Sequence, residues 1–421
     1  IISILNDCGV KALVYDRRII NITKIRKNCN IKNLIELNGK NENDYENLIN
    51  KGELIKPEIT ICEDDLASIN FSSGTTGRPK GVLLTHKNWI DSFYNYVLNS
   101  SNSRIKDIRI LHLLSFATAG GTSFLPAFFL GATNVVLLRF NLKESVELIG
   151  KYNINTIFLT PSYLTEIFDY CRENKISLSF LKKIIIGTEP ISGGKLKQMI
   201  NFFGPMIQQG YGMAEVLPPL TLLSSEDYIN KNALNEERLF SVGKILDGVK
   251  IKIVNNDSNQ LSSGKLGRIV IHSSTISKGY WNNKKLTKKN YAKGWFYTND
   301  FGYIDKEGYL YICGRKQDII MNLDGKIVFR KSIEEILNKH PDVLETFVFS
   351  LDNNNIVGCV SLKNDSKNIR TEELIKFCEG KLNKDIIPKK IIIVKDFPKN
   401  ASGKTDINKL KYMYFKGKKD G

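Results

Sequence analysis

What the sequence lacks narrows its chemistry first. Cysteine occurs seven times, at Cys8, Cys29, Cys62, Cys171, Cys313, Cys359 and Cys378, an odd number with no C-x-x-C pair. That argues against a disulfide framework or a zinc site and suits a reducing cytoplasm. Histidine is scarcer still, and His86, His112, His272 and His340 form no local cluster, so a zinc hydrolase has little support. No G-x-S-x-G is present. A Ser-His-Asp set drawn from distant positions stays open. No run of about eighteen apolar residues occurs. The most apolar stretch, residues 122–138, is broken by Pro126, Gly131 and Asn134, so a membrane span is not expected. No signal peptide is visible. The chain opens "IISILNDCGVKALVYD" without a methionine and reads as cut from something longer. Acidic residues fall short of basic ones, 44 against 61, giving a formal net charge of +17. The lysines are scattered, with no block of five or six like charges, so the surplus reads as a solvated surface rather than a nucleic-acid interface. Some of it should serve an anionic ligand.

What is present suits a globular chain. At 421 residues, with 42% hydrophobic and 25% charged residues, it is long enough for two or three domains, or one large and one small. Short β-branched runs ("KALVYD", "LASINF", "NVVLLR", "NTIFLTP", "LKKIIIG") alternate with helix-like segments such as "KESVELIGKY" and "SYLTEIFDYCREN". That alternation predicts α/β units around a largely parallel sheet. From about Ser241 the runs "VKIKIV", "LGRIVIH" and "GYLYICG" follow one another with little helix between, predicting a β-rich subdomain. After Arg315 a smaller α+β pattern begins, with a hinge placed at residues 315–318.

Five stretches carry candidate chemistry. Residues 69–89, "INFSSGTTGRPKGVLLTHKNW", crowd Ser72, Ser73, Gly74, Thr75, Thr76, Gly77 and Lys80 into one loop. Loop amides and a lysine make an anion-binding nest. It is not the common phosphate loop G-x-x-x-x-G-K-[ST], because counting from Gly74 the second glycine would fall at Pro79. "IIIGTEPIS" places Gly187 at the carboxyl end of an expected strand, where α/β sheets carry their sites. "QQGYGMAE" sets Tyr211 between two glycines with Glu215 four residues on. It reads either as a stacking platform plus an oxygen ligand for Mg²⁺, or as a strand-end turn with a core tyrosine. "GWFYTNDFGYIDKEGYLYICGRKQD" puts Asp300 in a turn and Arg315 after a strand. This is a ribose-diol site or a hairpin with solvated charges. "PKNASGKTD" presents Lys404 on a small-residue loop, where a single lysine is usually just exposed.

The order of these stretches resembles that of the adenylate-forming superfamily of acyl- and aryl-CoA ligases, luciferases and peptide-synthetase adenylation domains. The matching motifs are "SSGTTGRPKG", "GTEP", "YGMAE", "SVGK", "SKGYW", "GWFYTND", "GRKQD" and "SGKT", running from Ser72 to Lys404. The resemblance implies an α/β fold: a large domain, residues 1–314, of layered α/β sheets with a β-rich subdomain and lacking the family's first segment. A small mobile C-terminal α+β domain, residues 315–421, would follow. It also implies ATP-dependent activation of a carboxylic acid to acyl-AMP and pyrophosphate, then transfer to a thiol of CoA or phosphopantetheine. A carboxylate has a pKa of roughly 4 and is already a nucleophile at neutral pH. The absence of a catalytic histidine cluster fits, since the reaction needs alignment and charge neutralisation.

By the same resemblance Ser72, Ser73, Gly74, Thr75, Thr76 and Lys80 contact the β- and γ-phosphates. Gly187, Thr188, Glu189, Gln209, Gly210 and Tyr211 frame the adenine, and Gly212 belongs to the same nucleotide site. Ala214 lies near the α-phosphate, Glu215 helps hold Mg²⁺, and Asp300 and Arg315 bind the ribose. Lys404 bridges the phosphate and the attacking carboxylate, and the small domain closes for that step and swings away for the thiol. Phe116, Ala117, Ala119, Ser123 and Gly187 are expected at the acid pocket. Departures from the pattern are Ala214 for Thr or Ser, Ala117 at the acyl gate, Gln317 at the hinge, and Arg330 and Ser332 on the segment that lines the thiol face in relatives. The expected function is an acyl-CoA ligase for a fatty or aromatic acid. The alternatives are an acyl-AMP ligase, an enzyme loading an acyl carrier protein, or a non-catalytic nucleotide-binding protein. Neither nucleic-acid binding nor a membrane span is expected.

Overall fold

Runs of Ile, Val and Leu covered on both faces favour central strands of a parallel sheet, and "KIII" is one. In the computed structural model of the protein, all four residues of the strand Lys183–Ile186 are buried. The structure describes all residues except 40–43, 54, 73–78, 100–106, 118, 231–232, 322–326, 351–354, 364–368, 396, 399–408, 411 and 413–421. The chain divides into two compact units. The first comprises residues 1–264, 270–298 and 304–311, and the second 265–269, 299–303 and 312–421.

A seven-stranded sheet organises the first unit. The order is Lys244–Ile245, Val216–Leu223, Ile207–Met213, Lys183–Ile186, Thr156–Leu159, Arg109–His112 and Thr133–Val136. The five strands from Ile207–Met213 onward pair in parallel, and Val216–Leu223 pairs antiparallel with both its neighbours, Ile207–Met213 and Lys244–Ile245. Helices between them follow from local signals. Helix Pro161–Glu173 starts on the Thr160 cap, whose oxygen accepts from Tyr163 N, with Pro161 in the first turn. It buries Leu164, Ile167, Phe168 and Cys171 at the i, i+3, i+4, i+7 spacing of one face. Helix Gly193–Phe203 starts on the Ser192 cap and stops at Gly204, whose φ of +86° admits glycine readily. These helices pack Leu196 and Met199 against Ile157, Ile184, Ile186 and Ile207. Each fully buried isoleucine contributes about 1.5–3 kcal/mol.

At the start of the chain, helix Ile2–Asp7 precedes the strand Ala12–Tyr15, which pairs in parallel with Asn33–Glu36. Strand Leu66–Ser72 pairs antiparallel with Lys80–Thr85. The other edge of that hairpin bonds residues 278–281: Leu83 N donates to Gly279 O at 2.9 Å and Trp281 N to Gly81 O at 2.8 Å. After Ser241 the expected β-rich stretch is present as Lys250–Val254, Gly267–His272, Trp295–Ile304 and Leu310–Arg315. Asp300 lies within the strand Trp295–Ile304, not in a turn. The turn falls later, at residues 306–307, where Asp305 Oδ1 accepts from Glu307 N and Tyr309 N.

The second unit holds a three-stranded sheet. Val343–Ser350 pairs antiparallel with Ile356–Leu362, which pairs in parallel with Lys390–Ile393. Helices Arg330–Leu337 and Thr371–Cys378 cover one face through Ile333, Leu337, Leu374 and Cys378. Phe347, Phe349, Cys359, Phe397 and Leu410 form the other core. Arg330 is committed within this unit. Its guanidinium pairs with Asp318 at 2.8 Å and Glu334 at 2.6 Å and lies 4.4 Å from the Phe347 ring centre.

Candidate active site

The hairpin sets the ends of the glycine-rich loop. Ser72 stands opposite Lys80 in the ladder. Ser73, Gly74, Thr75 and Thr76 lie outside the described residues, as does the side chain of Ser72. Lys80 opens the second strand and is half-buried. Gly81 is required by packing: a Cβ there would meet Ile69 Cγ2 at 2.8 Å and Phe71 Cζ at 3.0 Å.

Register brings the next two motifs together. Ile186 stands beside Gln209 in the parallel ladder, which puts Gly187 next to Gly210. A Cβ on Gly187 would lie 3.2 Å from the Gly210 carbonyl oxygen. Gly212 is needed for another reason, because a side chain there would run into Pro218 of the returning strand. Gln209 is buried, and among the described residues its Oε1 accepts no hydrogen bond. A buried acceptor left unmade costs about 1–3 kcal/mol, so it calls for a donor. Thr188 sits at φ +71°, a left-handed conformation that strains a β-branched residue by about 1–2 kcal/mol. Beside it Ser162 Oγ donates to Glu189 Oε2, tying this turn to the first turn of helix Pro161–Glu173. Tyr211 is buried in the same strand.

Ala214 and Glu215 form the turn between Ile207–Met213 and Val216–Leu223. Ala214 packs against the cluster of Val82, Leu84, Leu217 and Tyr280, so the missing hydroxyl is replaced by apolar contact. Glu215 Oε1 accepts from the Tyr280 hydroxyl at 2.8 Å, and Ser277 N donates to the Glu215 carbonyl at 2.9 Å. Burial, reinforced by the Glu215 charge, pushes the Tyr280 phenol well above its ordinary range, so it is a neutral donor. Among the described residues Glu215 Oε2 has no hydrogen-bond partner and no lysine or arginine pairs with the carboxylate. An open, uncancelled carboxylate oxygen fits a hard cation. No group of three metal-ligating side chains occurs among the described residues. Any Mg²⁺ here would therefore be shared with ligand phosphates, as that ion prefers, rather than caged by protein.

Of the residues expected at the acid pocket, all but Gly187 fall around the start of helix Ala119–Phe129. Phe116 is 41% exposed, Ala117 is exposed, Ala119 opens the helix, and Ser123 is buried with Oγ donating to Gly120 O at 2.9 Å. Gly120 and Gly121 press against the carbonyls of Leu114, Ser115 and Phe116, which leaves no room for side chains at the start of this helix. The Phe116 and Phe124 rings meet at a tilt of 33° with centres 4.6 Å apart, and the buried ring of His112 stands edge-on to both. His112 Nε2 is 2.7 Å from Asn134 Oδ1, and the Asn134 amide donates to Ala132 O, so Nε2 carries the proton. Burial lowers the His112 pKa despite that hydrogen bond.

In the second unit, Arg315 Nε meets Asp300 Oδ1 at 3.2 Å, with Asp300 buried and Arg315 exposed. Lys404 lies outside the described residues. Sequence reasoning did not single out His112, Ser162, Tyr280 or Asn290. Tyr280 stands in the quoted "SKGYW", so its position was legible and its partner was not.

The sequence pattern of the family described as AMP-binding enzyme matches residues 1–281, and that of the AMP-binding enzyme C-terminal domain matches residues 332–404. A 2-succinylbenzoate–CoA ligase of Bacillus licheniformis is 31% identical over 363 residues, spanning 84% of this chain and 72% of that protein. A medium/long-chain-fatty-acid–CoA ligase of Mycobacterium tuberculosis is 25% identical, over 84% of this chain and 62% of that protein. Among solved structures, the O-succinylbenzoate coenzyme A synthetase of Bacillus subtilis in complex with ATP and magnesium ion superposes with a TM-score of 0.81. It is 26% identical and covers 97% of this chain and 81% of its own.

Proposed function

The chain belongs to the AMP-binding enzyme family, and we propose that it is an ATP-dependent acid–thiol ligase making an acyl-CoA from a carboxylic acid with an apolar body. The observation that carries this is the buried, unpartnered Gln209 Oε1 beside the Gly187–Gly210 contact. It offers an acceptor for an exocyclic amine such as that of adenine, on a strand end where only glycine lets a flat ring approach. Tyr211, Gly212, Thr188 and Glu189 complete that frame. Ser72, Ser73, Gly74, Thr75, Thr76 and Lys80 receive the β- and γ-phosphates as the leaving group. Asp300 and Arg315 take the ribose hydroxyls. Residues 1–314 form the nucleotide-binding domain, and residues 315–421 carry Lys404.

In the first step a carboxylate oxygen of the acid bonds to the α-phosphorus, and the bond from that phosphorus to the bridging oxygen breaks, releasing pyrophosphate. No proton needs removing from the nucleophile. Mg²⁺, held by Glu215 and the phosphates, supplies charge neutralisation when bound. In the second step the sulfur of CoA bonds to the acyl carbon, AMP departs, and the thiol proton goes to solvent. Phe116, Phe124 and Ala117 give an apolar, open-sided wall. The names of the relatives, a succinylbenzoate ligase and a fatty-acid ligase, support an aromatic or fatty acid.

Pyrophosphate release from ATP should depend on the acid when aromatic and medium- to long-chain fatty acids are supplied, and CoA should convert the adenylate to a thioester. Normal ATP binding with no release for any acid would sink the enzymatic reading. Thioester formed on a holo-carrier protein but not on CoA would reassign the acceptor.

A further inference from the structure

We infer that Tyr280, aimed by Asn290, is a positioning residue that fixes the Glu215 carboxylate for the divalent cation accompanying the nucleotide. The inference rests on Glu215 being the cation's ligand. The Tyr280 hydroxyl has one proton to give. Asn290 is buried, and its Nδ2 donates to the Tyr280 oxygen at 3.3 Å. That occupies a lone pair and turns the phenolic proton toward Glu215 Oε1, 2.8 Å away. The ring cannot drift. It is buried against Val82, Leu84 and Leu217, stands at 78° to the Tyr291 ring, and its backbone N donates to Thr287 Oγ1 at 3.0 Å. The far side of the turn is pinned by Ser277 N on the Glu215 carbonyl.

The choice of donor is informative. A carboxylate kept only for structure inside a protein is usually met by a cation, which cancels its charge. Here a neutral phenol takes one oxygen and leaves both the charge and Oε2 available. Outer hydrogen bonds of this kind orient metal-ligating carboxylates, and losing one typically costs 10–100-fold in metal affinity. Glu215 and Tyr280 are 65 residues apart, and Asn290 is ten further on.

The test is a titration of Mn²⁺ into the protein–ATP complex, read by electron paramagnetic resonance, alongside ATP binding without metal. Tyr280→Phe should weaken Mn²⁺ binding about tenfold and leave metal-free ATP affinity within about twofold. Asn290→Ala should weaken Mn²⁺ in the same direction by less, and it carries the test if Tyr280→Phe does not fold. Glu215→Gln should weaken it most. If Glu215→Gln weakens Mn²⁺ while the folded Tyr280 and Asn290 variants do not, the positioning role is overturned. If Glu215→Gln has no effect either, the reading of Glu215 as the cation's ligand falls with it.

Discussion

Lys183 is a lysine held in the core. It opens the central strand with 2% of its surface exposed, and its Nζ lies 5.9 Å from the Tyr96 ring centre. Burial depresses its pKa to about 7, from an ordinary 10.5. Between those two values the unfolded chain holds the proton and the folded chain does not, so this residue's contribution makes stability rise with pH from about 7 toward 10.5. Below pH 7 both states are protonated and the full penalty of the buried charge is present. Lys183→Met should therefore raise the unfolding free energy at pH 6.5–7 by roughly 1–3 kcal/mol, allowing for relaxation around the charge. The advantage over the unmodified chain should shrink by pH 9.5. Urea denaturation at both pH values checks it, and a constant difference between the two chains would contradict the assignment. Thr188 shows strain of another kind. Its left-handed backbone persists because Gly187 abuts Gly210 and Glu189 is tied to Ser162, and strain held this way marks functional turns.

Among the elements, the junction of strand Lys80–Thr85 and helix His86–Asn99 ties together parts of the sequence nearly two hundred residues apart. Thr85 Oγ1 accepts from Asn88 N, and Asn88 Oδ1 accepts from Thr85 N, a reciprocal cap with asparagine in the usual glutamate place. The same buried amide donates to Ser274 O at 3.1 Å and Ile276 O at 3.0 Å. One side chain thus starts the helix and holds the segment leading to Ser277 and Tyr280. Asn88→Ala leaves those groups unpaired and should destabilise the protein by about 2–4 kcal/mol, seen as a lower thermal midpoint. A midpoint within a degree of the unmodified chain would show that water replaces the amide without loss. The helix start was legible in "LTHKNW". The tie to residues 274–276 was not, because a hydrogen bond across some 186 positions leaves no local pattern.

At the scale of the whole molecule, chemistry depends on residues far apart in the chain. By its place in the "SGKT" motif, Lys404 is proposed to meet the attacking carboxylate. Lys404→Ala should slow acyl-AMP formation about 10²–10³-fold, the loss expected for one transition-state charge contact. The ATP dissociation constant should stay within about threefold, because the lysine acts on charge that develops during attack. Rapid-quench assay of acyl-AMP with calorimetry for ATP separates the two, and an unchanged rate would remove Lys404 from the reaction. The net charge of +17 plays no part in this proposal, which rests on the place of Lys404 in the "SGKT" motif.

The sequence by itself determined the family, through the order of its glycine-rich, strand-end and lysine motifs. It also determined the parallel core, because "KIII" and its neighbours have no exposed face to offer. Helix starts followed from Thr160 and Ser192 for the same local reason, a side-chain oxygen within reach of amides two or three residues on. Only the tertiary structure decided that Asp300 sits in a strand, that Gly212 yields to Pro218, and that Arg330 spends its charge on Asp318 and Glu334. It alone joined Glu215 to Tyr280 and Asn290. Local spacing fixes what lies within a few residues through bond geometry. Contacts across tens or hundreds of residues are set by how strands register and pack, which no short pattern records.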